Sequence, residues 1–162
     1  MSKSKIDPSE ISIRQARRDD VQRVASLIVL GSATQEVTEQ DAAAEAAHPD
    51  YERAFDEVLA SPDTTLFVAE RAGEVVGTFQ VTLIPGFAAR GRKRAKFESV
   101  HVAPETRGMG IGAVMMTHGL AFAKEKGAGL VELTSHKART DAHRFYRNLG
   151  FDQSHEGFKK PV

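Results

Sequence analysis

Arg107-Gly108-Met109-Gly110-Ile111-Gly112-Ala113 joins two different periodicities and constrains the architecture more than any other segment. Before it, Phe97-Glu98-Ser99-Val100-His101-Val102 alternates like a strand and is closed by Pro104. After it, Ile111, Val114, Met115, Leu120, Ala121 and Phe122 recur at helical spacing until Gly127 and Gly129. Glycines at alternate positions let the backbone approach a ligand, and the free N–H groups of a helix start favour an anion. The segment predicts a phosphate-binding turn. Gly108, Gly110 and Ala113 also fit the dinucleotide fingerprint, with Glu132 about 20 residues further on. Only about 50 residues remain after Gly112, too few for the later parallel strands of that fold, and Glu132 lies mid-strand. No Gly-Lys-Ser/Thr follows, which excludes a Walker A loop.

Upstream, Ile11-Ser12-Ile13-Arg14-Gln15-Ala16 reads as a strand, and Asp19 and Asp20 supply an N-cap and first-turn charge to a helix through Val21, Val24, Ala25, Leu27 and Ile28. The polar, Ala-rich run 31–48 and the periodic Tyr51, Phe55, Val58 and Leu59 after Pro49 form a second helix or a lid. Leu66–Glu70 and Val75–Leu83, joined by Arg71-Ala72-Gly73-Glu74, predict an antiparallel hairpin. Downstream, Leu130–Thr134 is a fifth strand and Asp141–Leu149 a last helix, and the tail from Phe151 has room for one or two further strands. The order β-α-α-β-β-β-α-β-α-β implies an α/β (α+β) mixed sheet with helices on both faces.

Composition narrows the function. The 162 residues fit a single domain at 11–162 behind a flexible N-terminal segment at 1–10. Lys plus Arg and Asp plus Glu both number 22, so the basic excess of a nucleic-acid binder is absent. Zero cysteines exclude disulfides, thiolate metal sites and a Cys acyl-enzyme, and the 6 histidines show no ligand spacing, so no metal is expected. No apolar run approaches the roughly 18 residues of a membrane span, and the polar start lacks a signal-peptide core; a cytoplasmic protein without membrane partners is expected.

Taken together, the motifs resemble the GCN5-related N-acetyltransferase (GNAT) superfamily. Its acetyl-CoA signature, Arg/Gln-x-x-Gly-x-Gly/Ala after the fourth strand, is matched by Arg107 to Gly112, and Val100-His101-Val102-Ala103-Pro104-Glu105 resembles its usual approach. Ala142-His143-Arg144-Phe145-Tyr146-Arg147-Asn148-Leu149-Gly150-Phe151 is similar to the family's Ala-x-x-Phe/Leu-Tyr-x-x-x-Gly-Phe helix end. The resemblance covers roughly residues 11–158 and implies the acyl-CoA N-acyltransferase fold, mostly antiparallel with a splayed parallel pair of fourth and fifth strands. Acetyl-CoA is the implied cosubstrate, held by Val100, His101 and Val102, by Arg107, Gly108, Met109, Gly110, Ile111, Gly112 and Ala113, and by Tyr146. The implied partner is an amine acceptor, with a homodimer left open. Many members carry Asn where this chain has Arg139, so Asp141 is expected to cap the last helix instead.

The resemblance implies N-acetyl transfer by direct attack in a ternary complex, or alternatively a non-catalytic acyl-CoA-binding regulatory domain. In the first reading Tyr146 resembles the family's general acid toward the CoA sulfur. Glu98 lies where a family-like amine approaches and takes the ammonium proton, directly or through water, if partial burial raises its pKa; His101 is the competing acceptor. Strict alternation puts Glu98, Val100 and Val102 on one face and Phe97, Ser99 and His101 on the other, unless a bulge re-aims them. The basic residues Arg90, Arg92, Lys93, Arg94 and Lys96 read as a solvated connection, or as an attractant for an acidic acceptor or a CoA phosphate.

Overall fold

The computed structural model describes residues 4–162; residues 1–3 of the expected N-terminal segment lie outside the described residues. Five strands, β1 (Ile11–Gln15), β2 (Thr64–Arg71), β3 (Glu74–Ile84), β4 (Arg94–Val102) and β5 (Leu130–Leu133), form one sheet in sequence order. The first four pair antiparallel and β4 pairs β5 in parallel, so the sheet is mixed, as expected. The helices are α1 (Val21–Leu30), α2 (Glu39–Ala46), α3 (Pro49–Ala60), the single turn α4 (Ala88–Gly91), α5 (Ile111–Glu125) and α6 (Thr140–Asn148).

The two faces are covered for different reasons. Phe67, Phe79 and Phe97 stand on adjacent strands beneath α5, with the Phe67 and Phe79 rings stacked at 5.0 Å. A β-carbon at Gly119 of α5 would lie 2.9 Å from the Phe97 ring and 3.1 Å from that of Phe79, so glycine there allows the helix to sit directly on the aromatic row. Gly77 plays the same part for Met115. On the opposite face α1 buries Val24, Ala25 and Leu27, and α2 packs on α1 through the small residues Ala42 and Ala46.

Several expectations are refined. The run 31–62 holds two helices: Thr38 caps α2 by accepting from the Asp41 N–H at 3.1 Å, and Pro49 opens α3 behind the His48 cap. The fourth strand begins at Arg94 rather than Phe97, because its first residues pair with both neighbours. Asp141 does not cap α6; it lies inside the first turn and pairs with Arg144, while Arg139 occupies the cap position. Residues 151–162 contain no strand, leaving β5 at the edge of the sheet. Ile6 donates its N–H to the Met109 carbonyl at 3.0 Å, which ties the chain before β1 to the glycine turn.

One polar cluster fastens β1, β2 and the start of α1. Arg14 donates to both oxygens of Asp20, at 2.6 and 3.0 Å, and to both oxygens of Glu70, at 2.8 and 3.1 Å. Asp20 is buried and also accepts the Arg17 N–H at 2.7 Å. The Arg14 guanidinium holds the Asp20 carboxyl below its usual range. Because the folded-state pKa is depressed, the stabilisation is complete above the unfolded value and is lost as pH falls through the folded one. Asp20→Asn is expected to destabilise the protein by about 1.5–3 kcal/mol, the value of a charge-assisted buried hydrogen bond. Chemical denaturation should show that difference at pH 7 and a smaller one below the usual carboxylate range.

Candidate active site

The site is organised by one irregularity in β4. Thr78 of β3 faces His101 and Gln80 faces Glu98, so Ser99 and Val100 together oppose Phe79, with Ser99 at φ 51°. This is a β-bulge, and it shifts the alternation by one residue. Thr78 and Gln80 share a face of β3, so Glu98 and His101 now share one face of the sheet. Strict alternation had separated them.

Beside the bulge the sheet opens. Parallel pairing with β5 runs from Arg94↔Leu130 to Phe97↔Leu133 and then stops, leaving the β4 edge from Glu98 to Val102 unpaired on that side. Both Val100 and Val102 stand along this opening, half-buried against the core. The splay expected of the fourth and fifth strands is therefore present.

The glycine turn lies at the head of the opening. Gly108 and Gly110 have φ of 84° and 98°, a left-handed conformation that favours glycine, and a β-carbon at either would meet nothing within 4 Å. They are needed for the path of the backbone rather than for packing. Among the described residues, the N–H groups of Gly108, Gly110, Ile111 and Gly112 have no backbone acceptor, and the Gly110 cap has no side-chain hydrogen bond. These donors lie at and just before the positive end of a 15-residue helix, an arrangement suited to a phosphate. The turn is held from three sides: Arg107 Nε donates to the Val102 carbonyl at 3.1 Å, Ile6 reaches Met109, and Ile111 is buried in the core. Ala113 continues the helix through its N–H to the Gly110 carbonyl, at 3.1 Å.

The second sequence motif meets the first here. A β-carbon at Gly112 would lie 3.1 Å from the Phe145 ring, so this glycine lets α6 pack on the first turn of α5. The next residue, Tyr146, packs edge-on against Phe145 and Phe151, at 5.2 and 5.9 Å between ring centroids. Burial raises its phenol pKa, with the Arg139 charge acting in the opposite direction, so the hydroxyl keeps its proton at neutral pH. The Arg139 charge also reaches His101. The departure from the family's Asn thus puts a cation within range of both residues, an effect that motif matching alone does not reveal.

His101 and Glu98 occupy unlike environments. Burial, followed by the Arg139 and Arg107 charges, lowers the His101 pKa to about 4, and its Nδ1 is buried without a hydrogen-bond partner. The ring lies against Gly31 at the end of α1, where a β-carbon would come 1.9 Å from Nδ1. Nothing local in the sequence distinguishes Gly31 from an ordinary helix stop. Glu98 is more open, and its carboxylate pairs with Lys96 Nζ at 2.8 Å.

The basic run that leads into β4 and forms its first residues is mostly spent on the protein itself. Lys93 donates to the Lys126 carbonyl at the end of α5, at 3.1 Å, Arg94 pairs with Glu132 at 2.9 Å, Lys96 pairs with Glu98, and the Arg92 stem lies over Gly129. A separate surface recess is bordered by Glu10, Arg71, Ala72, Val76 and Thr106, and its charges pair with each other at 2.9 Å. Among the described residues no group of three or more His, Asp or Glu is placed to hold a metal ion, and no helix is long and apolar enough to cross a membrane.

Comparison with known proteins agrees with this geometry. The model of the Acetyltransferase (GNAT) family matches residues 32–151. An aminoalkylphosphonate N-acetyltransferase of Salmonella typhimurium is 33% identical over 104 residues, 64% of this chain and 67% of that protein. A crystal structure of a transcriptional regulator from Bacillus halodurans C-125 superposes with a TM-score of 0.83 at 34% identity, covering 94% of this chain and 99% of the other. A putative acetyltransferase from Agrobacterium tumefaciens gives 0.74 at 29% identity, covering 93% and 99%.

The buried imidazole provides a test of the local geometry. His101 has a folded-state pKa below its unfolded value, so its contribution favours the folded protein most above pH 6.5 and is lost as pH falls toward about 4. By NMR, His101 should remain neutral until about pH 4. Gly31→Ala should drive the ring out of its niche and return its titration toward the ordinary 6.5.

Proposed function

Because this chain belongs to the acetyltransferase (GNAT) family, we propose that it transfers the acetyl group of acetyl-CoA to a primary amine of a small-molecule or peptide acceptor, by direct attack in a ternary complex. The observation that carries this reading is the continuity between the glycine turn and the unpaired edge of β4. The N–H groups of Gly108, Gly110, Ile111 and Gly112 suit the pyrophosphate of CoA. The free edge past Val100 and Val102 suits an extended pantetheine arm, whose amides pair as a strand would. Both features lead to the bulge, where Glu98 and His101 share a face.

The chemistry follows from what these side chains hold. Glu98 takes the proton of the acceptor ammonium, directly or through water, so that the neutral amine forms the new N–C bond. His101 is uncharged at neutral pH and adds no cation beside the incoming ammonium. As the C–S bond breaks, Tyr146 donates its phenolic proton to the departing sulfur. Arg139 favours the transient phenolate that results, since a positive charge in range stabilises the ionised form, and the proton that the nitrogen sheds on becoming an amide restores the phenol.

The Salmonella relative's name supports a small amine as acceptor. The Bacillus halodurans relative, described as a transcriptional regulator, favours the second reading, an acyl-CoA-binding regulatory domain without turnover. Release of free thiol from acetyl-CoA in the presence of amines separates the two.

Tyr146→Phe keeps the ring contacts and removes the proton donor. Folding and acetyl-CoA affinity should change little, while single-turnover transfer at saturating acetyl-CoA should slow by about 10²–10⁴-fold, the usual worth of general acid catalysis. A wild-type single-turnover rate across the active pH range would remove Tyr146 from the proton transfer.

A further inference from the structure

The charged floor beside the cleft is not accounted for by acetyl transfer itself. Arg94, Lys96 and Glu98 alternate along one face of β4, and Glu132 of β5 stands opposite Lys96 in register. They pair as Arg94–Glu132 at 2.9 Å and Lys96–Glu98 at 2.8 Å, and the four side chains keep between 33% and 40% of their surface exposed. Pairs this open contribute little to holding a fold together. Gln80 and Thr82 of β3 lie beside Glu98 and Lys96 in register, so the same face continues as uncharged hydrogen-bonding groups. The carboxylate assigned to receive the acceptor's ammonium therefore has a cation of the protein immediately next to it, one residue pair before the strands part.

Resting on the acetyl-transfer reading, we propose that the acceptor is a small zwitterion: a primary amine joined by a short linker to an anionic group, with its ammonium on Glu98 and its anion on Lys96. A plain alkylammonium has to share the Glu98 carboxylate with Lys96, which already holds its Oε1, and so sets two cations side by side with a single anion between them. Like charges at such range repel, and the site rejects that ligand. A zwitterion instead replaces each half of the Lys96–Glu98 pair with an opposite charge, so no charge is stranded when the pair opens. A diamine fares worst, since it brings a second cation to Lys96. The charge of the quartet sums to zero, so discrimination is local pairing rather than long-range steering. Carboxylate, phosphonate and phosphate share the chemistry that Lys96 recognises.

The test compares kcat/KM for β-alanine, 2-aminoethylphosphonate and phosphoethanolamine with that for propylamine and 1,3-diaminopropane, at saturating acetyl-CoA. At least one anionic amine should exceed propylamine by roughly 10- to 100-fold, the range that one charge-assisted hydrogen bond supplies, and the three anionic arms identify which group is preferred. Lys96→Met should collapse that ratio toward one, chiefly through KM, and Lys96→Arg should preserve it. Propylamine or the diamine used as well as every anionic amine, or a ratio that survives Lys96→Met, overturns the proposal while leaving acetyl transfer standing. Acetyl-CoA binding without transfer to any of these amines or to a peptide amine overturns the acetyl-transfer reading and the zwitterion with it.

Discussion

The bulge at Ser99 and Val100 is the constraint on which the rest of the site depends. Two residues of β4 opposite one of β3 bend the strand and rotate its side-chain phase, and the residue that absorbs the strain is a serine at φ 51°. Two consequences follow at one place. Glu98 and His101 come to the same face, and the edge of β4 beyond Phe97 loses its partner on β5. An unpaired strand edge inside a sheet would normally be a liability, since each buried N–H and C=O needs a partner. Here the opening lies between two parallel strands and leads to a helix start with four uncommitted N–H groups, so its polar groups are available to an extended ligand.

Packing beneath the opening keeps it in place. The aromatic row Phe67, Phe79 and Phe97 and the small residues Gly77 and Gly119 hold α5 close to the sheet. The N-terminus of α5 is thereby fixed with respect to β4, and Arg107 and Ile6 secure the turn that joins them. Gly112 then admits Phe145, which sets the position of α6 and hence of Tyr146. A core designed around close approach thus positions an anion site, a strand edge and a phenol without any of them being a packing element.

What could be read beforehand follows from how local each signal is. The hairpin around Ala72 and Gly73, the strand-glycine-helix order and the end of α5 at Gly127 are written in neighbouring residues, and all are present. The sequence implies the bulge only as a condition on Glu98, because alternation shows where a charge conflicts with the core but not which residue yields. The pairings of Lys93 and Arg94 are not legible, since their partners, Lys126 and Glu132, are chosen by a helix end and by strand register, whereas Lys96 meets Glu98 two residues along its own strand. Asp141 has the composition of a cap but a nearer use for its side chain in Arg144, one turn along. The niche that takes His101 needs Gly31, 70 positions away in the chain, and no periodicity connects them.

A crystal structure of the protein with acetyl-CoA bound is the decisive experiment. It should place the pyrophosphate on the N–H groups of Gly108, Gly110, Ile111 and Gly112, and the pantetheine arm along the free edge of β4 past Val100 and Val102. Hydrogen bonding between β4 and β5 that continues beyond Phe97 and Leu133 in the complex, or a cofactor lodged away from the glycine turn, would contradict it.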